Sequence, residues 1–236
     1  MILLVDADSL VFASCYKKKE HPDDDRHHKT LEDCIVKFDE QFMSIINRLE
    51  EIYEIEKVMV FNDARGNFRK LITPTYKGNR TAPKPELLPE MHEYVRNQYN
   101  GISACGVETD DLVATYWYSI QKEIGRDNVM IVSIDKDYKQ FPALIYNYHY
   151  KHKKILDITK QEAMYNFYEQ MIAGDTADNV NYFRGKGVKF AEKYLAGCKT
   201  KLAYTKKMYK LFKDQYKEKA KQMFIECYNL LKLRTE

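Results

Sequence analysis

Residues 129–137, VMIVSIDKD, form a short uninterrupted apolar run that ends in two aspartates, Asp135 and Asp137. A continuous run, in place of the alternation of a half-exposed strand, implies a strand covered on both faces, as in a parallel sheet. Residues 2–5 (ILLV), 57–61 (KVMVF) and 145–148 (IYNY) are runs of the same kind. Between them, residues 31–55 carry Ile35, Phe38, Phe42, Ile45, Ile46, Leu49 and Ile52 at spacings of three and four, which predicts an amphipathic helix, and residues 110–124 predict another. Buried strands alternating with helices predict an α/β fold with a central, mainly parallel twisted sheet flanked by helices over residues 1–158. Residues 159–236 read as helical, a second region packed on the first. Residues 17–30 (KKKEHPDDDRHHKT) read as a polar surface insertion.

An open parallel sheet binds its ligands at the carboxyl ends of its strands. The acidic residues of this chain fall there. Asp6 follows the first run, Asp63 the second, Asp135 and Asp137 the third, and Glu108, Asp110 and Asp111 open the helix before the third. An aspartate at a strand-to-helix turn is commonly a helix cap, and a cap explains any one of these. It does not explain ETDD (108–111) and DKD (135–137), whose crowded anions need neutralising, most simply by divalent cations. Asp175 and Asp178, in GDTADN (174–179), add two carboxylates three residues apart. Oxygen donors without neighbouring His or Cys suit Mg²⁺ or Mn²⁺ better than zinc. The set is large enough for two ions, which in two-metal phosphodiester chemistry sit about 3.5–4 Å apart.

Composition narrows the class. With 236 residues, 44% hydrophobic and 13% aromatic, the chain has the makings of a proper core, which excludes disorder as a whole. The five cysteines, Cys15, Cys34, Cys105, Cys198 and Cys227, are scattered without a CxxC, which suits reduced thiols in the cytoplasm. No apolar run is long enough for a membrane span, and no signal peptide is read. The net charge of +3 hides strong segregation: residues 184–221 hold 13 Lys/Arg against Glu192, Asp214 and Glu218. Residues 64–85 hold Arg65, Arg69, Lys70, Lys77, Arg80 and Lys84 with no acid. Such tracts are commonly only solvated helix faces. Beside acid clusters, they suggest a polyanion gripped by cations while carboxylates hold metal at the reacting phosphate.

Five stretches in fixed order resemble the 5′ nucleases, the family of flap endonucleases, polymerase-linked 5′-exonuclease domains and phage 5′-exonucleases. They are LLVDAD (3–8), FNDARGNFRK with TPTYKGNR (61–80), GVETDDLVA (106–114), VSIDKDYKQF (132–141) and GDTADNV (174–180), spread over about the first 200 residues. The resemblance implies a PIN-like domain with a short arch near residues 77–105 and a helix–three-turn–helix element. It implies a first metal site from Asp6, Asp63, Glu108, Asp110 and Asp111, with Asp8 beside them, and a second from Asp135, Asp137, Asp175 and Asp178. Lys77 and Arg80 are then catalytic, over the scissile phosphate, with Asp135 and Asp137. The DNA-contacting set is Arg69, Tyr76, Lys77, Arg80 and the hairpin Arg184, Gly185, Lys186, Gly187 and Lys189. In this family a potassium ion sits at that hairpin, where this chain has Tyr182 and Phe183 ahead of it.

The implied activity is Mg²⁺-dependent, structure-selective hydrolysis of branched or 5′-ended duplex DNA. RNA–DNA hybrids are a further candidate substrate. A monomer that meets replication proteins in the cytoplasm of a bacterium or a phage-infected cell is the implied setting.

Three rivals remain. A haloacid-dehalogenase-type phosphatase shares Asp6-x-Asp8 and GDxxDN but leaves Glu108, Asp110, Asp111, Asp135 and Asp137 without a role. A single-domain PIN ribonuclease would lack the GKG hairpin and the basic C-terminal third. A branched-DNA scaffold would be expected to have lost acidic positions. Of the smaller features, His27 and His28 beside Asp23–Asp25 read as a hydrophilic loop, and Trp117 reads as core. The helices of residues 204–233 read as packed on the domain with a basic outer face.

Overall fold

The computed structural model describes residues 1–16, 30–149 and 151–235, so the insertion at residues 17–29, with His27 and His28, lies outside the described residues. Five strands form one sheet in the order β2-β1-β3-β4-β5, with β1 Ile2–Asp6, β2 Lys57–Phe61, β3 Val129–Val132, β4 Leu144–Asn147 and β5 Lys154–Asp157. The first four run parallel and β5 pairs antiparallel with β4. Successive side chains of a strand leave on opposite faces. Thus Leu3, Val5, Met130 and Val132 enter one core, while Leu4, Val129 and Ile131 enter another.

Helices α1 Asp8–Cys15, α2 Leu31–Glu50 and α4 Leu88–Gln98 cover the first face; α3 is the single turn Arg69–Ile72. Thr30 caps α2, its side chain accepting from the Asp33 amide at 3.1 Å while Asp33 accepts from the Thr30 amide at 2.9 Å. The apolar stripe of α2, from Cys34 through Phe38 and Phe42 to Leu49, is buried against the sheet. Each fully buried side chain of this size contributes about 1.5–3 kcal/mol. Helix α5, Thr109–Ile124, covers the other face with Val113, Ala114 and Trp117, and Trp117 is core.

Helices α6 Lys160–Ala173, α7 Val188–Leu195, α8 Lys201–Tyr216 and α9 Ala220–Leu231 enclose a third core of their own. That core also takes in Tyr76. The chain then returns to the sheet region, where Leu233 joins the α5 core.

Two features differ from the sequence expectation. Strand β5 did not show as an apolar run, because KILD is only four residues long and half exposed at the sheet edge. Within the expected arch near residues 77–105, residues 77–80 bond to the Asp175–Asp178 loop through Lys77, Asn79 and Arg80. From Leu87 onward it is docked: Met91 and Val95 are fully buried against α1 and α2, and Tyr94 and Tyr99 both donate to Asp39 at 2.7 Å. Apolar positions four apart on α4 give it a face that is more stable buried than exposed. Among the described residues, no helix is long and apolar enough to cross a membrane.

Candidate active site

The carboxyl ends of β1 and β3 and the first turn of α5 bring the acids together. Glu108, Asp110 and Asp111 have carboxylate oxygens within 4.8 Å of one another, and so do Asp110, Asp135 and Asp137. Asp110 therefore joins the two groups. The helix N-terminus offers some relief for three acids in one turn. It is not enough: burial first, then Glu108 and Asp111, hold the Asp110 carboxyl well above the usual range. Burial and the charges of Asp135 and Asp175 push Asp137 up to about 7, and burial with Asp8 does the same to Asp6. All-oxygen donors at this spacing, reluctant to ionise together, are the donor chemistry of a hard divalent cation.

The remaining acids have distinct surroundings. Asp6 is 7% exposed, and its Oδ2 accepts from the Tyr138 hydroxyl at 2.8 Å, so it lies beneath the cluster. Asp8 accepts from the Asp63 amide at 2.9 Å and the Thr109 hydroxyl at 2.6 Å, tying α1 to the β2 and α5 turns. Asp63, at φ +52°, turns its carboxylate to Arg65 at 2.8 Å and Arg96 at 3.0 Å. The structure thus does not bring Asp63 into either acid group; the two arginines hold it aside.

Asp175 and Asp178 sit in a loop closed by reciprocal backbone bonds between Asp175 and Val180. Gly174, at φ +77°, makes that closure possible, since a Cβ there would collide with the Val180 carbonyl. Asp175 Oδ1 accepts the Ala177 amide at 2.8 Å, while Oδ2 meets Lys136 at 2.8 Å. Burial works against its ionisation, yet the Lys136 contact outweighs this and holds it below the usual range. Gln170 of α6 donates to both Asp137, at 2.7 Å, and Asp175, at 3.1 Å, linking the strand-end acids to this loop.

Cations close the site. Lys77 adopts φ +55°, a conformation uncommon for a side-chain-bearing residue, and its Nζ binds Glu108 Oε1 and lies 3.7 Å from Asp178 Oδ1. Arg80 reaches Asp178 at 2.9 Å. Lys77 and Arg80 therefore stand between the α5 acids and the 175–178 loop. The Lys77 ammonium is partly buried, which alone would lower its pKa, but Glu108 and Asp178 raise it and keep it charged.

Two sequence expectations need correction. Arg69 does not face a DNA backbone: it is 1% exposed, pairs with both oxygens of Asp111 at 2.6 and 2.8 Å, and donates to the Leu230 and Lys232 carbonyls at 2.9 and 3.1 Å. Tyr76 is likewise interior, its hydroxyl donating to Glu108 at 2.9 Å and Asp178 at 2.6 Å. Asp111 stays within the Glu108–Asp110–Asp111 group while its Oδ1 also accepts the Arg234 amide at 2.9 Å, which braces the end of the chain against α5. An arginine amid a basic tract looks like a phosphate contact until a buried carboxylate partner is placed opposite it. Lys136 and Tyr138, inside VSIDKDYKQF, and Gln170 serve the site as well, and Gln170 carries no local signal in the sequence.

On the helical region, Gly185 at φ +80° and Gly187 lead into α7, and a Cβ at either would meet nothing within 4 Å, so the hairpin backbone is open. Phe183 is buried beneath it, and the Lys186 ammonium lies 4.8 Å from the Phe190 ring.

Comparison with known proteins agrees with this architecture. The family model for the 5′-3′ exonuclease N-terminal resolvase-like domain matches residues 1–169. The chain is 34% identical over 160 residues to a DNA polymerase I of Rhizobium leguminosarum, a match covering 58% of this chain and 14% of that protein. It is 27% identical over 160 residues to a 5′-3′ exonuclease of Buchnera aphidicola, covering 63% of this chain and 55% of that one. The chain thus spans only part of the curated relatives it matches. Among solved structures, a bacteriophage T5 flap endonuclease in a pseudo-enzyme–product complex with DNA and metal ions superposes with a TM-score of 0.63 at 18% identity, over 99% of this chain and 89% of that one. The T5 protein co-crystallised with metal ions gives 0.66 at 19% identity, over 99% and 90%. With a family match over most of its length and a shared fold, this chain belongs to the 5′-3′ exonuclease family through its N-terminal resolvase-like domain.

Proposed function

We propose that this chain is a structure-selective 5′ nuclease, a flap endonuclease and 5′-3′ exonuclease that hydrolyses DNA phosphodiesters in replication or repair. The observation that carries this is the sharing of Asp110 between two acid triads, Glu108–Asp110–Asp111 and Asp110–Asp135–Asp137. Glu108, Asp110, Asp135 and Asp137 would hold Mg²⁺, with Mn²⁺ as a substitute, and Asp175 and Asp178 would complete the second site. When bound, such ions supply Lewis acidity toward the phosphate and a water that ionises near neutral pH.

The chain's own residues do the rest. Lys77 and Arg80 already pair with carboxylates, so a phosphate arriving there exchanges one anion for another without exposing a bare cation. They orient it in line and offset its developing charge. Asp6, Tyr138 and Gln170 keep the acids in place from below. The hairpin Arg184–Lys189 and the N-terminus of α7 would hold duplex phosphates through Lys186, Lys189 and open backbone, with a potassium ion at the same loop. A monomer in the cytoplasm that accepts RNA–DNA hybrids and meets replication proteins belongs to the same reading.

The phosphatase rival loses ground at Asp6, which it needs as an exposed nucleophile and which is buried under Tyr138. The test is cleavage of a 5′-labelled flapped duplex in Mg²⁺ or in EDTA, by wild type and by Asp135→Asn. Metal-dependent release of short 5′ products, lost in the variant while binding persists, is expected. Tight junction binding without cleavage would replace the nuclease with a scaffold; neither binding nor cleavage would reopen the phosphatase.

A further inference from the structure

A cavity of about 400 Å³ lies beside the acid cluster, between α1, α2 and the ends of β3 and β4. Its walls are mostly apolar: Leu10, Ile45 and Ile134 contribute side chains, and Tyr148 a ring. Two of its lining residues adjoin acids in sequence, Ser9 after Asp8 and Ile134 before Asp135. The Ser9 and Tyr148 hydroxyls are hydrogen-bonded to each other. Burial, and then the charges of Asp6, Asp8 and Asp135, raise the Tyr148 phenol, so the pocket and the acids share one electrostatic environment. Gln41, also in the wall, has an Oε1 that is buried and has no hydrogen-bond partner among the described residues.

These features fit one kind of occupant. A volume at the small end of ligand pockets, an aromatic wall and a carboxamide able to donate and accept suit a planar heterocycle with polar edges. Glu40, His149 and Lys153 give the lining mixed charge, and the carboxylates of Asp6, Asp8 and Asp135, close enough to raise the Tyr148 phenol, oppose a bound anion. We propose that this pocket receives a single unstacked nucleobase of the nucleotide next to the scissile bond, with Tyr148 against its face and Gln41 at its edge. The reading rests on the nuclease assignment above. It gives the chain a way to register the reacting nucleotide from its base side while Lys77 and Arg80 hold its phosphate side, and unpairing is least costly at a frayed end or flap junction.

The experiment pairs a substrate change with a pocket change. Flapped duplexes carrying a single abasic site at each position flanking the cut are compared with the intact duplex, using wild type, Ser44→Trp at the exposed rim and Ala13→Phe within the wall. Base–aromatic stacking of ordinary strength predicts that one abasic position lowers kcat/KM by about tenfold in wild type. Each filled pocket should lower it comparably on intact DNA, and the same abasic position should then cost nothing further. Melting temperatures within a few degrees of wild type show that the variants fold, and Ser44→Trp, being at the surface, serves if Ala13→Phe does not. Equal, additive losses, or no abasic position that matters, would overturn the pocket assignment while leaving the nuclease intact. Absence of cleavage on intact DNA by wild type would instead remove the nuclease reading itself.

Discussion

Arg69 and Asp111 meet as a buried, two-pronged pair, Nη1 to Oδ2 at 2.6 Å and Nη2 to Oδ1 at 2.8 Å, each residue 1% exposed. The same guanidinium ties down the Leu230 and Lys232 carbonyls, so one side chain joins α3, α5 and the end of the chain. Removing one partner of a buried pair leaves the other charge stranded, at about 3–5 kcal/mol. Arg69→Met should therefore lower stability by that amount in urea denaturation. At a temperature where it is still folded, the salt dependence of its DNA binding should be unchanged, because the residue does not touch phosphate. A shallower salt slope would return Arg69 to the DNA-contacting set.

Asp137 carries the pH signature of the acid group. Its folded pKa, about 7, lies above the ordinary 3.8, so the folded chain favours the protonated form. Stability from that proton is complete below the ordinary carboxylate range and is lost as pH rises through 7. In EDTA, the melting advantage of Asp137→Asn over wild type should grow between pH 5 and pH 8, since the amide keeps the bond to Gln170 without the charge. Mg²⁺ at pH 8 should raise the melting temperature of the wild type more than that of the variant, which has lost one ligand of the Asp110–Asp135–Asp137 group. Thermal melts at the two pH values decide this; equal pH responses would show that Asp137 is not strained by its neighbours.

The loop of Asp175 and Asp178 depends on Gly174. Alanine there meets both a left-handed φ of +77° and the Val180 carbonyl. Strained backbone of this kind costs about 1–3 kcal/mol. Gly174→Ala should lose stability on that scale and lose cleavage more than DNA binding, because Lys136, Gln170, Tyr76 and Arg80 are all aimed at the two displaced carboxylates. Urea denaturation and single-turnover cleavage measure the two effects separately.

Lys186 and Lys189, beside the open Gly185–Gly187 backbone, are the test of the helical region. Each phosphate contact adds about 0.9 to the slope of log affinity against log salt on duplex DNA. Lys186→Ala with Lys189→Ala should flatten that slope by about 2 if both residues bind phosphate, with stability unaltered. An unchanged slope would leave the basic face of this region solvated and without a DNA role.

Much of this was legible from sequence because it is local. The continuous apolar runs at 2–5, 57–61 and 129–132 are strands for the reason they are apolar, burial against the sheet, and the acids sit just past their carboxyl ends, on the rim where such a sheet places its ligands. Grouping Glu108, Asp110, Asp135 and Asp137 needed only the rule that parallel strands share one functional rim. What could not be read were pairings across long sequence separations. Arg96, arriving from α4, draws the Asp63 carboxylate away from the acid groups, and Asp111 shares its oxygens with Arg69 and the Arg234 amide while staying beside Glu108 and Asp110. Residue type and spacing announce that a carboxylate is near the site, but only the tertiary fold decides whether a cation or a guanidinium reaches it first.

That competition is sharpest at Lys77, whose ammonium binds Glu108 and approaches Asp178 at 3.7 Å. It neutralises part of the acid group, and under the proposed function it is also a cation that meets the phosphate. The two roles oppose each other. Removing the ammonium raises the negative potential at Glu108, so Lys77→Ala should bind Mg²⁺ more tightly than wild type in a calorimetric titration. It should nevertheless cleave about 10²–10³-fold more slowly, the usual loss when one charge-stabilising donor is removed from a phosphoryl or acyl transition state. Lys77→Arg should restore most of the wild-type metal affinity and only part of the rate, because a planar fork cannot occupy the same point between two carboxylates. Tighter metal binding coupled to slower cleavage would separate Lys77 from the metal ligands; weaker metal binding with slower cleavage would make it a structural strut of the acid group.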